Sequence, residues 1–130
     1  KKTHFPVCII SESLRNSRSG QKVLRGVGPG EWLYLIHNAD YIVTNSFHGM
    51  IFSFIFNRQV MIGDSNDGTF SRMKDFLAEM KCMNCIIGED IQSVIDNKID
   101  YKQVNPKMHN YSTRSKRILK TILKGKQVVE

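Results

Sequence analysis

The apolar residues of this chain fall into short blocks whose spacing switches repeatedly between strand-like runs and helix-like stripes. Val7-Cys8-Ile9-Ile10 is a compact apolar run that predicts a buried strand, and Ser11 to Gly20 reads as a polar loop. Lys22-Val23-Leu24-Arg25 predicts a weaker strand, stopped by Gly26-Val27-Gly28-Pro29-Gly30. From Glu31 onward, Trp32, Leu33, Leu35 and Ile36 share one face at helical spacing, with Pro29 and Glu31 suited to a helix start. Tyr41-Ile42-Val43-Thr44 predicts a buried strand and His48 to Phe56 an apolar helix. Gln59 to Gly63 predicts the next strand, and Asp64 to Gly68 a polar loop. Phe70, Met73, Phe76, Leu77 and Met80 mark another helix. Beyond Ile86-Ile87, a short helix near Ile91 to Asp96 precedes a loop holding Pro106, and a last helix is expected from Ser112 to Lys124. Strands alternating with helices imply parallel pairing with crossover helices. The expected fold is therefore α/β: a Rossmann-like three-layer sandwich with a mostly parallel sheet.

The chain has 130 residues, 41% hydrophobic and 24% charged. That length fits one soluble domain without internal repeat or dividing linker. The longest apolar run, Met50 to Phe56, is interrupted by Ser53 and is far too short to span a membrane. Nineteen Lys and Arg against twelve Asp and Glu give a net charge of +7, which biases the search toward anionic partners. Cys8, Cys82 and Cys85 are an odd, sparse set, unlike a secreted disulfide framework. A reducing cytoplasm is the expected location. The opening Lys-Lys-Thr, with neither methionine nor signal pattern, suggests a piece of something longer.

In parallel α/β sheets, ligands bind at the carboxyl ends of strands beside helix N-termini. That rule selects Asn45–His48 and Asp64–Gly68. In Thr44-Asn45-Ser46-Phe47-His48-Gly49, a polar turn leads from a strand into an apolar helix, so backbone N–H groups and the positive end of the helix dipole face outward. Ser46 can cap the helix or donate to an anion, and His48 is a donor whose charge switches near physiological pH. Gly49 allows close approach to the backbone. The same residues also suit a plain structural reading: an N-cap, a surface histidine and a packing glycine.

The run Pro29 to Ile36, followed by Ala39 to Gly49 and by Phe52 to Arg58, resembles the signature of the polysaccharide pyruvyl transferase family. Ser71-Arg72-Met73 opening a helix, and the tail from Ile99-Asp100-Tyr101 through Ser115 to Leu119, are similar too, so the resemblance spans about residues 22–123. Gly30, where an acidic residue is common, and Cys82-Met83-Asn84-Cys85 depart from the family pattern without touching the Ser-Phe-His-Gly motif. The resemblance implies transfer of pyruvate from phosphoenolpyruvate to two sugar hydroxyls as a cyclic ketal, in exopolysaccharide or capsule assembly. It implies two Rossmann-like domains in a glycosyltransferase-B-like arrangement, with the active site between them. Residues 1–130 correspond to the C-terminal domain alone, so the missing N-terminal domain is an expected partner and the isolated chain is expected to be inactive.

Phosphoenolpyruvate carries a phosphate and a carboxylate and needs several N–H donors and a guanidinium. Asn45, Ser46, Gly49 and Arg72 are the candidate phosphoenolpyruvate-binding residues, and His48 the candidate catalytic residue, either as acid toward the methylene carbon or, charged, as a phosphate clamp. Arg72 is alternatively a solvated surface charge. No metal and no cofactor beyond the donor substrate are expected.

Other motifs weaken on inspection. Gly26 to Gly30 lacks the spacing of a dinucleotide or P-loop fingerprint, and Asp64 to Gly68 lacks the twelfth-position Glu of a calcium loop. Cys82-x-x-Cys85 has no second pair for zinc and follows a helix instead of starting one, so a reduced, partly buried pair is expected. Residues 101–126 hold eight Lys or Arg and no acid, with Ile118, Leu119, Ile122 and Leu123 on one helix face. This is either a docking helix with a solvated basic back or a peripheral contact with anionic lipid, or with a lipid-linked saccharide acceptor, at the inner leaflet. Aromatic residues are not interleaved there, which argues against nucleic acid. Two other functions compete: half of a nucleotide-sugar glycosyltransferase, and a non-catalytic anion-binding or membrane-docking module.

Overall fold

A computed structural model describes residues 6–10, 22–64, 68–89 and 91–125. The polar loop expected over 11–20 and residues 65–67 of the Asp64–Gly68 loop lie outside the described residues. The elements run β1 (Cys8–Ile10), β2 (Lys22–Leu24), α1 (Pro29–Asn38), β3 (Tyr41–Thr44), α2 (Phe47–Ile55), β4 (Gln59–Ile62), α3 (Thr69–Met80), a 3-10 turn (Met83–Cys85), α4 (Ile91–Asp96) and α5 (Tyr101–Leu123). The mixed α/β class and the strand-helix alternation are as expected from the sequence.

The sheet differs from expectation. Strands β1 and β2 pair in parallel, as do β3 and β4, but the two pairs are separate ladders among the described residues. A parallel bridge between Ile62 and Ile86 adds one further step beside β4. The strands are only three or four residues long, and Val43 on β3 stands 65% exposed, so among the described residues no third layer covers the sheet at that point.

Burial explains the rest. Val60 and Ile62 of β4 point at one core, which α2 meets with Met50 and Phe54 and α3 with Met73, Phe76, Leu77 and Met80. The i, i+3, i+4, i+7 spacing on α3 puts all four side chains on one stripe. Phe54 meets Phe76 edge-to-face at 5.2 Å, and Phe76 meets Tyr111 of α5 at 5.6 Å, so three helices converge over β4. On its other side α2 packs against α1, with Trp32 edge-on to Phe52 at 5.6 Å and His37 edge-on to Phe56 at 5.1 Å.

The loop expected around Pro106 is instead helix. Helix α5 starts at Tyr101, capped by Asp100, whose carboxylate accepts from the Lys102 amide at 3.0 Å, and Pro106 lies inside it. Tyr101, Val104, Met108 and Tyr111 recur at intervals of three, four and three, and all four pack on the core. An interior proline costs a helix about 3 kcal/mol. Four buried or half-buried apolar side chains outweigh that.

Candidate functional site

The turn between β3 and α2 is held by its own side chains. Ser46 is the N-cap of α2 in an extended conformation (φ −93°, ψ 131°), and its hydroxyl oxygen accepts from the Gly49 amide at 3.4 Å. Thr44 Oγ1 accepts from the Ser46 amide at 3.1 Å, and the Met50 amide donates to the Ser46 carbonyl at 3.0 Å. These bonds use the donors of Ser46, Gly49 and Met50. Among the described residues no acceptor faces the amides of Phe47 and His48, which stand at the positive end of the helix dipole.

Gly49 is buried, not open to a ligand. A Cβ there would lie 2.6 Å from Thr44 Oγ1 and 3.2 Å from Thr44 Cβ, so the glycine lets α2 start directly over the end of β3. Its carbonyl also accepts from the buried Ser53 hydroxyl at 2.6 Å. Asn45, Ser46 and His48 are exposed. The His48 imidazole is edge-on to the Phe47 ring, 6.2 Å between centroids.

Arg72 comes from the first turn of α3 and is also exposed. Its guanidinium lies over the Phe47 ring, 5.4 Å from the centroid. One phenyl ring is thus shared by the guanidinium and the imidazole, although Arg72 and His48 are 24 residues apart in sequence. Four of the five expected site residues lie at the turn, and Phe47 links the fifth to them. The sequence places Phe47 in the turn and in the Ser-Phe-His-Gly motif but gives it no role of its own in the site. Its half-burial, next to two cationic candidates, is what distinguishes it.

At the far end of α3, about 18 Å along the helix, lies a cavity of about 180 Å³ lined by Lys81, Cys82, Lys98, Asp100, Gln103 and Lys107 among others. Cys82 and Cys85 are both buried, with free thiols. Their mutual hydrogen bond pushes the Cys85 thiol far up, reinforced by burial, and pulls the Cys82 thiol down, assisted by Lys107. Among the described residues no group of three or more His, Cys, Asp or Glu is arranged to hold a metal ion.

Fold and site define an α/β protein with a strand-to-helix turn whose unused amides, hydroxyl, imidazole and guanidinium suit an anionic ligand. Residues 9–62 match the polysaccharide pyruvyl transferase family, so the family resemblance read from the sequence holds across that segment. The match takes in β2, α1, β3, the turn, α2 and β4, hence Asn45, Ser46, His48 and Gly49, and stops before Arg72. The family is one of pyruvyl-type transferases of polysaccharide biosynthesis. No curated protein and no solved structure matches the chain.

Proposed function

We propose that this chain supplies the donor-binding wall of a polysaccharide pyruvyl transferase, taking phosphoenolpyruvate at the β3–α2 turn and delivering pyruvate to two hydroxyls of a sugar as a cyclic ketal. The observation that carries the reading is the placement of the Arg72 guanidinium over the ring of Phe47, a residue whose amide, like that of His48, has no acceptor among the described residues. A phosphate bound there would accept from both amides and from the Ser46 or Asn45 side chain, while the guanidinium pairs with phosphate or carboxylate. Protonation of the methylene carbon makes the enol carbon cationic beside oxygen, and a sugar hydroxyl adds there and loses its proton, leaving a tetrahedral carbon that still carries phosphate. Departure of phosphate restores the cation, and the second hydroxyl adds to it and gives up its proton to close the ketal. His48 is the acid toward the methylene or the clamp on the phosphate. Gly49 serves the site indirectly, by seating α2 over Thr44.

On this reading the chain is a Rossmann-like sandwich in the C-terminal half of a two-domain, glycosyltransferase-B-like enzyme, and the parallel pairing of β1 with β2 and of β3 with β4 supports it. With β1 set beside β3, the two parallel ladders would read β2-β1-β3-β4, a doubly wound order that reverses between β1 and β3. Ligands bind at the carboxyl ends of strands at such a reversal, and β3 ends there in Asn45. The acceptor, a sugar or lipid-linked saccharide, and the second domain would form the opposite wall in the cytoplasm. A cleft with one wall cannot align the reacting groups, so the 130 residues alone are expected to bind donor weakly without turnover.

Titrating phosphoenolpyruvate into the chain while following backbone amide resonances tests the site. Shifts should centre on Phe47 and His48 and vanish for inorganic chloride at equal ionic strength. In the longer protein, His48→Ala should remove most release of phosphate in the presence of acceptor. Wild-type turnover in that variant would sink the assignment of His48.

A further inference from the structure

We infer that the last three turns of α5 form a docking surface for an anionic lipid bilayer. Helix α5 packs on the core through Tyr101, Val104, Met108 and Tyr111, and Arg114 is tied to Glu79 of α3 by an ion pair of 2.9 Å. Beyond that anchor the same apolar stripe continues, uncovered by the described residues: Leu119, Ile122 and Leu123 are 55%, 56% and 76% exposed. Projected at about 100° per residue, Ile118, Ile122, Leu119 and Leu123 fill an arc of roughly 140°, and Lys116, Lys120, Lys124 and Arg117 fill roughly the next 100°. All four of those cations are exposed and none has an ion-pair partner among the described residues.

Charge decides the occupant. The sequence from residue 101 to residue 129 contains no carboxylate side chain, so the surface offers a protein partner a small apolar strip with positive charge along one side. Cores of protein interfaces are depleted in lysine, and a stable dimer buries about 1,200 Å² or more, which a strip of three side chains does not provide. A helix lying in the headgroup plane has the opposite preference: aliphatic side chains enter the acyl boundary while lysines flank it and meet anionic headgroups. No helix among the described residues is long and apolar enough to cross a membrane, so the contact is peripheral.

The test is sedimentation of the chain with vesicles of phosphatidylglycerol and phosphatidylcholine, against phosphatidylcholine alone. At least tenfold more protein should sediment with the anionic vesicles, and raising salt from about 50 to about 500 mM should reverse most of it. Replacing Lys116, Lys120 and Lys124 together by Gln should lower binding at least tenfold, and Leu119→Ser with Leu123→Ser should do the same. These positions lie outside the core, so unchanged circular dichroism is expected and separates lost binding from lost folding. In a Leu123→Trp variant also carrying Trp32→Phe, indole emission should shift to the blue on adding anionic vesicles. Equal sedimentation with both vesicle types, or no sedimentation at low salt, overturns the inference. So does a dimer in analytical ultracentrifugation that Leu119→Ser disperses, because the strip then belongs to a second copy of the chain.

Discussion

Gly49 and Thr44 face each other so closely across the β3–α2 turn that a Cβ on the glycine would lie 2.6 Å from the threonine hydroxyl. Thr44 has little room to yield: its side chain is β-branched, and Oγ1 accepts from the Ser46 amide at 3.1 Å. Gly49→Ala must therefore move α2 away from β3 or turn Thr44 out of its hydrogen bond. The expected cost is about 1–3 kcal/mol, the range for forcing one extra carbon into a packed site. Urea unfolding measures it, and the companion Thr44→Ser variant, which removes one of the three close atoms, should reduce the cost of Gly49→Ala.

Arg72→Lys should leave folding intact, because the side chain is exposed, and should raise the Michaelis constant for phosphoenolpyruvate more than it lowers turnover. Lysine places a single ammonium where the guanidinium presents a planar fork able to grip two anionic oxygens while sitting over the Phe47 ring. Phe47→Leu, which keeps the apolar bulk but removes the ring face, should produce a milder change in the same direction. An Arg72→Lys enzyme with an unchanged constant for the donor would move the guanidinium role to another residue.

Most elements were legible in the sequence because their apolar periodicity agrees with their burial. Met73, Phe76, Leu77 and Met80 predict α3, and all four are buried. The β3–α2 turn was legible for a different reason: a capping serine between a β-branched run and an apolar run has few alternatives. Its partner Arg72 was identified by type, by position and by the resemblance of Ser71-Arg72-Met73, and the contact of its guanidinium with the Phe47 ring is a tertiary one that no local pattern encodes. The beginning of α5 was hidden by Pro106, since local proline chemistry argues for a loop and only packing of Tyr101, Val104 and Met108 reverses it. The division of the strands into two ladders was equally invisible, because strand pairing depends on long-range register, not on composition.

Pro106→Ala should stabilise the chain. Pro106 lacks the N–H that would otherwise bond the Lys102 carbonyl, and its ring crowds that turn of α5. Removing about 3 kcal/mol of helix penalty, less up to about 1 kcal/mol of lost rigidity in the unfolded chain, leaves a gain of roughly 2–3 kcal/mol. A rise of that size in the free energy of urea unfolding is expected. A loss of stability would mean that the proline itself is needed to seat Tyr101 and Met108.

Tyr101 should make stability fall in alkali. Its hydroxyl donates to the carbonyl oxygens of Arg58 and Ser53, anchoring the start of α5 to the end of α2. Burial drives the phenol well above its ordinary value, and the thiols of Cys85 and Cys82 push the same way. In the unfolded chain the phenol ionises near pH 10. Above that pH the folded state therefore holds a proton that the unfolded state has released, and stability declines as pH rises toward the folded value. One such proton is worth up to about 1.4 kcal/mol per pH unit, somewhat less here because the side chain is only partly buried. Tyr101→Phe removes both the hydrogen bond and the titration. The variant should be about 0.5–1.5 kcal/mol less stable than wild type at pH 8, and that gap should narrow or reverse by pH 11. Paired urea titrations at pH 8, 9, 10 and 11 measure the gap directly, with other groups cancelling between the two proteins. A gap that stays constant across the series would mean that Tyr101 ionises equally in both states, and that burial does not hold its proton.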